Sequence, residues 1–281
     1  MPIEQIYNSL NEELNHVERE LKFQISLILK NKRNLKKIID YFFKIPGKRL
    51  RPILVLLSAG LIKGDQIKNN KTLIELASAV ELIHSASLIH DDIIDDSNFR
   101  RGQLTMNYQY KNKIAVLAGD MLYSHAFSLL IDKFDKRILT ILSQSVERMC
   151  SGEIGQLKVP ISSFEEYLKI IEDKTASFMS TCCQSAAILV DSDEKTVKTL
   201  GKFGFNFGIS YQLLDDYLDN DATFNFNINL FEKAKEYGKR AQVTIASFEN
   251  SKYKNSLYNL ITYLFEKDKI NNSKLMNVSV K

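Results

Sequence analysis

The sequence predicts one all-helical domain, 1–281, and three observations carry that prediction. Apolar residues recur at the three-to-four spacing of a helix face along most of the chain, while strand-like alternation is scarce. Only 4 prolines and 11 glycines interrupt 281 residues, and the last proline is Pro160. Nothing from Ile161 to Lys281 therefore forbids helix. With 44% hydrophobic residues the chain is not disordered, and its length suffices for a substantial core.

In chain order, the periodicity predicts helices over 3–29, 35–44, 52–62, 72–95, 113–134 and 136–157. Three more follow over 164–190, 193–220 and 230–267, the last broken near 249–251. PGKR at 46–49, KGD at 63–65, RRGQ at 100–103 and DSD at 191–193 mark turns between them. No short repeat and no low-complexity linker divides the chain, so a single domain is expected.

Composition also excludes several functions. Thirty-eight Lys and Arg against 34 Asp and Glu give a net charge of +4, with the basic residues scattered. That pattern is too mild for a nucleic-acid module. Cys150, Cys182 and Cys183 form no C-x-x-C, so neither a disulfide framework nor a zinc site is expected, and a cytoplasmic location is. The opening MPIEQIYNSLNEEL is unlike a secretory signal. The longest apolar run, 53–62, is interrupted by Ser58 and falls short of the roughly 20 residues that span a bilayer, so no transmembrane segment is expected.

Against this background HDDIIDD at 90–96 is out of place, and LLDDYLDND at 213–221 repeats the anomaly. Residues i and i+4 share a helix face, and i+1 lies about 100° round. Asp91, Asp92 and Asp95 have that spacing, as do Asp215, Asp216 and Asp219, so each trio should fan carboxylates over one side of a helix. Both trios sit at predicted C-terminal ends. There the helix dipole disfavours negative charge, and like charges at i and i+4 repel. A bound cation removes both penalties, and all-oxygen ligands point to Mg²⁺, which completes its shell with water and phosphate oxygens. A single D-D-x-x-D is as readily a solvated helix end; two copies, each after apolar helix, describe a clamp on a polyphosphate.

A polyphosphate also needs cations. Lys48, Arg49 and Arg51 precede Pro52, a favoured first helical residue, so side chains and free N–H groups would share an anion site. Arg100 and Arg101 follow the first trio. Lys174 has Ile170, Ile171, Ser177 and Phe178 as its i±3 and i±4 neighbours, so no acid on its own helix explains it. His84 aligns with Asp91 and Gln212 with Asp215 on their helical faces, whereas His16 and His125 have no such support and His90 is ambiguous. Gly204 and Gly208 align beneath Asp215, which room for a ligand or close helix packing explains equally.

GKRLRP at 47–52, HSASLIHDDIID followed by RRG, GEIGQL at 152–157, KT at 174–175 and YQLLDDYLD at 211–219 resemble, in order, the trans-isoprenyl diphosphate synthases. The tail KAKEYGKRA is similar to the family's C-terminal region, and the DDIIDDSNFRRG stretch looks most like medium- and long-chain members such as heptaprenyl and octaprenyl diphosphate synthases. The resemblance implies an antiparallel helical bundle of the isoprenoid synthase type with a central cavity, usually a homodimer. It implies a prenyltransferase that adds isopentenyl diphosphate head-to-tail to an allylic diphosphate. Asp91, Asp92, Asp95, Asp215, Asp216 and Asp219 would then face the metal, with roughly two or three Mg²⁺ ions expected. Arg100, Lys174, Thr175 and Gln212 would hold the allylic diphosphate, with Lys174 and five of the aspartates, all but Asp219, acting in catalysis. Lys48, Arg51, His84 and Arg101 would hold isopentenyl diphosphate. Ala86 and Ser87, small residues below the first aspartates, would leave the product tunnel open to about C30 or longer, for a quinone side chain.

The chain departs from the family pattern after DDYLD. Its NDATFNFNINLFEKAKEYG replaces a glycine-rich segment whose lysine normally also touches the allylic diphosphate. The catalytic motifs thus occupy 47–219, and 220–281 is expected to be a shortened C-terminal region, with part of the bundle wall missing. Two readings follow: an active polyprenyl synthase, or a weakly active or non-catalytic subunit of a heteromeric synthase. A class I terpene cyclase is set aside, because DDYLD is not the N-x-x-x-S-x-x-x-E type of motif such an enzyme requires.

Overall fold

A computed structural model describes residues 3–30, 33–131, 133–158, 161–219 and 228–276. These residues are helical apart from turns, connecting segments and one two-stranded hairpin, so the all-α expectation holds. They divide into two compact units.

One unit comprises the described residues of 12–53 and 68–134. It contains all but the first residue of α2 (Asn11–Ile28), and α3 (Arg33–Phe43), α5 (Lys71–Ile94), α6 (Met106–Tyr110) and α7 (Asn112–Ile131). Its centre is α5, capped by the Asn70 side chain accepting from the Leu73 N–H. Leu73, Leu76, Val80, Ile83 and Ile89 bury one face after another, and α7 packs along it. After α5 the chain turns back in a hairpin, β1 (Phe99–Arg100) against β2 (Gln103–Leu104), with RRGQ as its turn. Arg101 and Gly102 take positive φ of 53° and 78° there, as a two-residue turn of this hand requires.

The other unit comprises the described residues of 1–11, 54–67 and 135–281. It holds α1 (Ile3–Ser9), most of α4 (Leu50–Lys63), α8 (Lys136–Lys158), α9 (Phe164–Ile171), α10 (Ser177–Leu189), α11 (Glu194–Leu218), α12 (Leu230–Thr244) and α13 (Lys252–Met276). Here α11 is central, packing on α10 and α12. Side-chain caps start its helices: Ser163 accepts from Glu166 N–H, Asp193 from Thr196 N–H and Asn229 from Glu232 N–H.

Several boundaries differ from the periodicity. Leu10 breaks the first predicted helix into α1 and α2, and α6 was not anticipated. Between α9 and α10 a π-helical segment, Glu172–Ala176, replaces regular helix. The sequence predicts no transmembrane segment; two helices, α5 and α7, are nonetheless long and apolar enough to cross a membrane by length and composition, a test that the core helix of a soluble protein also passes. That expectation followed uninterrupted apolar runs, whereas isolated polar residues such as His84 and Ser124 leave the averaged hydropathy high. The α5 window is 83% buried, as in a core helix, while that of α7 is only 39% buried and exposes Ile114, Val116, Leu117 and Ile131.

Candidate active site

The two acidic stretches lie in different units, and their local geometry is the same. Asp91 and Asp92 occupy the last turn of α5, and Asp95 caps it at φ −83°, ψ 1°, donating its N–H to the Asp91 carbonyl at 2.8 Å. Asp215 and Asp216 occupy the last turn of α11, and Asp219 caps it at φ −76°, ψ −5°, donating to the Asp215 carbonyl at 2.9 Å. The C-terminal placement expected from the sequence is therefore correct.

Within each trio, however, the three carboxylates are not equivalent. In each trio the middle aspartate is held by donors from elsewhere in its unit. Asp92 is only 2% exposed and accepts from Arg100 Nε at 2.7 Å. Burial raises its carboxyl above the ordinary range, and the Arg100 guanidinium opposes the rise. Asn107 Nδ2 donates to the Asp92 carbonyl at 3.1 Å, tying the helix end to the chain beyond the hairpin. A cavity of about 20 Å³ lies here, lined by Tyr41, Asp92, Arg100 and Gln103 among others. Asp216 accepts from the Tyr167 hydroxyl on one oxygen and from Gln212 Nε2 on the other at 2.9 Å. Asp91 and Asp215 are half-buried, while Asp95 and Asp219 are exposed.

These are hard oxygen donors only, which fits Mg²⁺. Among the described residues no three His, Cys, Asp or Glu side chains are gathered as a ready-made ligand set. Mg²⁺ does not demand one, because it keeps waters and takes substrate phosphate oxygens beside one or two carboxylates. Each carboxylate has about four acceptor positions, so Asp92 and Asp216 retain capacity beyond their present bonds.

The basic groups sort into two kinds. Helix α4 starts at Leu50, not Pro52, so Arg51 stands in its first turn. Pro52 is tolerated there because the first N–H groups of a helix have no internal acceptor. Arg49 precedes the helix at φ 52° and points inward, its side chain 10% exposed, bonded to Glu18 and at 2.7 Å to Glu81. Burial alone would lower its pKa, but Glu18 and Glu81 outweigh burial and raise it. Arg49 thus leaves the anion site that the sequence had given it. Arg51 Nη1 lies 2.9 Å from His84 Nε2, so the structure brings these two residues together. A guanidinium only donates, so Nε2 accepts and the proton sits on Nδ1, a buried atom with no partner. Burial first, then the charges of Arg51, Arg101, Arg100 and Arg49, hold the His84 pKa well below the ordinary value. Arg101 reaches back to the Ile45 carbonyl at 3.4 Å and lies against Gly47, where any Cβ would meet its guanidinium at 2.7 Å. Lys48 is exposed.

In the other unit the π-segment carries Lys174 and Thr175, and such segments recur at functional sites. Lys174 has an acid partner after all: Glu153 of α8, with Gln156 Oε1 also accepting from its Nζ at 2.8 Å. Reading i±3 and i±4 neighbours tests only a residue's own helix, so this pair was invisible to it. Two of the polar positions in GEIGQL thereby acquire a role. Thr175 donates to Gln212 Oε1 at 2.9 Å, so Thr175, Gln212 and Asp216 form one chain of hydrogen bonds. Ala86 and Ser87 are both buried, and the Ser87 hydroxyl donates to the His84 carbonyl. The choice left open for Gly204 and Gly208 falls to packing. A Cβ on Gly204 would lie 2.5 Å from the Met179 carbonyl oxygen, and one on Gly208 would lie 2.6 Å from Ala176 Cα. His90 and His125 bond to the Val116 carbonyl and to Gln24.

Sequence reasoning missed Tyr167, Glu153 and Glu81. Their partners are 49, 21 and 32 residues away, beyond any local pattern. The first part of the replaced segment after Asp219, 220–227, lies outside the described residues, and the rest leads into α12.

Comparison with known proteins bears on the family to which the chain belongs. A family model described as "Polyprenyl synthetase" matches residues 32–267. The chain is 35% identical over 226 residues to "Heptaprenyl diphosphate synthase component 2" of Bacillus subtilis, covering 79% of this chain and 63% of that protein. It is 37% identical over 216 residues to "Decaprenyl-diphosphate synthase" of Dictyostelium discoideum, covering 75% of this chain and 44% of that protein. The chain thus spans under two thirds of the length of these curated relatives. The crystal structure of a decaprenyl diphosphate synthase from Rhodobacter capsulatus superimposes with a TM-score of 0.84 over 95% of this chain and 99% of that one. At 24% identity that likeness concerns the fold.

Proposed function

The chain belongs to the polyprenyl synthetase family, and from that premise we propose that it is a trans-polyprenyl diphosphate synthase. It would condense isopentenyl diphosphate with an allylic diphosphate to a product of about C30 or longer, for a quinone side chain. The observation that carries this reading is the matched pair of acidic helix ends, in each of which the middle carboxylate accepts from a side chain brought in by the local fold. The match over 32–267 runs through both compact units, which supports treating them as one synthase domain.

Asp91, Asp92, Asp95, Asp215, Asp216 and Asp219 would face Mg²⁺, with Arg100 orienting Asp92 and with Tyr167 and Gln212 orienting Asp216. The metal supplies positive charge to the pyrophosphate oxygens. Arg100, Lys174, Thr175 and Gln212 bind the allylic diphosphate and stabilise charge on it as the allylic C–O bond breaks and its electron pair leaves with pyrophosphate. Lys48, Arg51, His84 and Arg101 orient isopentenyl diphosphate so that its double bond attacks the allylic carbon. A C–C bond forms, and the proton then lost from the isopentenyl carbon passes to the departing pyrophosphate. No side-chain nucleophile is required. The three free cysteines agree with a reducing, cytoplasmic setting. The exposed apolar residues of α7 suit burial in a homodimer.

A second reading is favoured by the name "component 2", carried by the relatives from Bacillus subtilis and Geobacillus stearothermophilus. Here the chain would be one subunit of a heteromeric synthase. Incubation with Mg²⁺, farnesyl diphosphate and labelled isopentenyl diphosphate separates the readings. Extension by the purified chain establishes the first, and extension only with a co-expressed partner subunit the second. No extension in either case refutes both.

A further inference from the structure

We propose that Tyr167 is a positioning residue for the second acidic helix end, fixing the Asp216 carboxylate in the orientation in which it meets metal-bound pyrophosphate. The inference rests on the function proposed above and assigns a residue that the motif reading left without a role.

Tyr167 lies on α9 and is 2% exposed, with its ring packed beside Phe164 at 5.9 Å. A buried tyrosine hydroxyl needs a hydrogen-bond partner, and a backbone carbonyl would serve. This one instead reaches α11 and donates to Asp216 Oδ2. Gln212 Nε2 donates to the other oxygen, and Thr175 of the π-segment fixes Gln212 in turn. The carboxylate is therefore held at both oxygens, by side chains that α9, the π-segment and α11 place around it. An aspartate χ2 torsion is broad and roughly two-fold, so a half-buried carboxylate without such donors would sample a range of directions. The contrast with Asp92 is informative. Arg100 holds that carboxylate and also offsets its charge. A phenol is neutral, so Tyr167 sets direction while the negative charge of Asp216 stays available to a cation. Outer residues that orient metal-facing carboxylates in this way typically change metal affinity ten- to a hundredfold when removed.

Isothermal titration of the full chain with inorganic pyrophosphate, with and without Mg²⁺, tests this on four proteins: wild type, Tyr167→Phe, Asp216→Asn and the double variant. Phe fills the same buried volume and removes only the hydroxyl. Metal-dependent pyrophosphate binding should weaken about tenfold in Tyr167→Phe. In the Asp216→Asn background the same change should have little further effect, because the carboxylate through which Tyr167 acts is gone. Equal binding by wild type and Tyr167→Phe overturns the proposal. An undiminished effect in the Asp216→Asn background also overturns it, since Tyr167 would then act through the fold at large. So does loss of cooperative unfolding in metal-free Tyr167→Phe, which would make it a folding residue. Pyrophosphate binding by the wild type that is indifferent to Mg²⁺ is a separate result and refutes the proposed function itself.

Discussion

His84 should make the protein acid-sensitive, and the size of the effect follows from its surroundings. In the folded chain the ring is shielded from water and faces the charges of Arg51, Arg101, Arg100 and Arg49, so protonation is opposed from every side named. In the unfolded chain it titrates near its ordinary value of 6.5. Below that pH the unfolded state binds the proton that the folded state refuses, so stability falls as pH falls. If the native ring stays neutral throughout, the loss reaches a ceiling of about 2 kcal/mol at pH 5 and vanishes above pH 7.5 or so. Replacing His84 with Gln removes the titration and leaves an amide oxygen able to accept from Arg51. Urea unfolding of both proteins at pH 8 and pH 5 isolates the term, because His16, His90, His125 and every carboxylate are common to both. The stability of wild type relative to His84→Gln should drop by between 1 and about 2 kcal/mol on going from pH 8 to pH 5. A relative stability that stays flat across that range would show that the ring accepts a proton in the fold, and the electrostatic account of the Arg51 and His84 pair would fail.

Three further outcomes are expected. Glu81→Ala leaves the Arg49 guanidinium buried with Glu18 as its remaining partner, and should cost about 3 kcal/mol in urea unfolding, at the low end for a broken buried pair because Glu18 stays; a change under about 0.5 kcal/mol would refute the assignment. Gly208→Ala gains about 1 kcal/mol of helix propensity, but its methyl would meet backbone at 2.6 Å. Overpacking of about 1–3 kcal/mol should therefore prevail and lower the thermal midpoint, whereas a stabilised variant would return Gly208 to the role of making room for ligand. Ser87→Phe should shorten the labelled polyprenyl product if this residue floors the tunnel; a lower melting temperature with unchanged product length would mark Ser87 as core packing alone.

Legibility from sequence followed the range over which each interaction acts. The helical class was readable because apolar spacing and the lack of proline after Pro160 are local facts. The two aspartate trios were readable for the same reason, since i and i+4 geometry fixes where they fall on a helix. What could not be read were choices made by distant residues. Arg49 looked like the other cations in GKRLRP, and only Glu18 and Glu81 decide that it turns inward. Lys174 looked unpaired because Glu153 lies on another helix. The glycines under Asp215 carry the same helix penalty whether they admit a ligand or a neighbouring backbone, so spacing could not choose. The π-segment has no signature in EDKTA that periodicity detects.

The same logic explains why the two acidic ends are more alike than their sequences require. DDIID and DDYLD fix only the spacing of charge. The structure adds a shared feature: the middle carboxylate accepts from a donor that the local fold brings in, buried in the case of Asp92 and half-buried in the case of Asp216. A donor on the middle group offsets part of the repulsion among like charges at a helix terminus that already disfavours them. A solvated acidic helix end would need no such donors, because water would satisfy all three carboxylates. The cationic brace on Asp92 and the neutral one on Asp216 therefore argue that these ends are shaped for a ligand, and that the two ends differ in how much net charge they present to it.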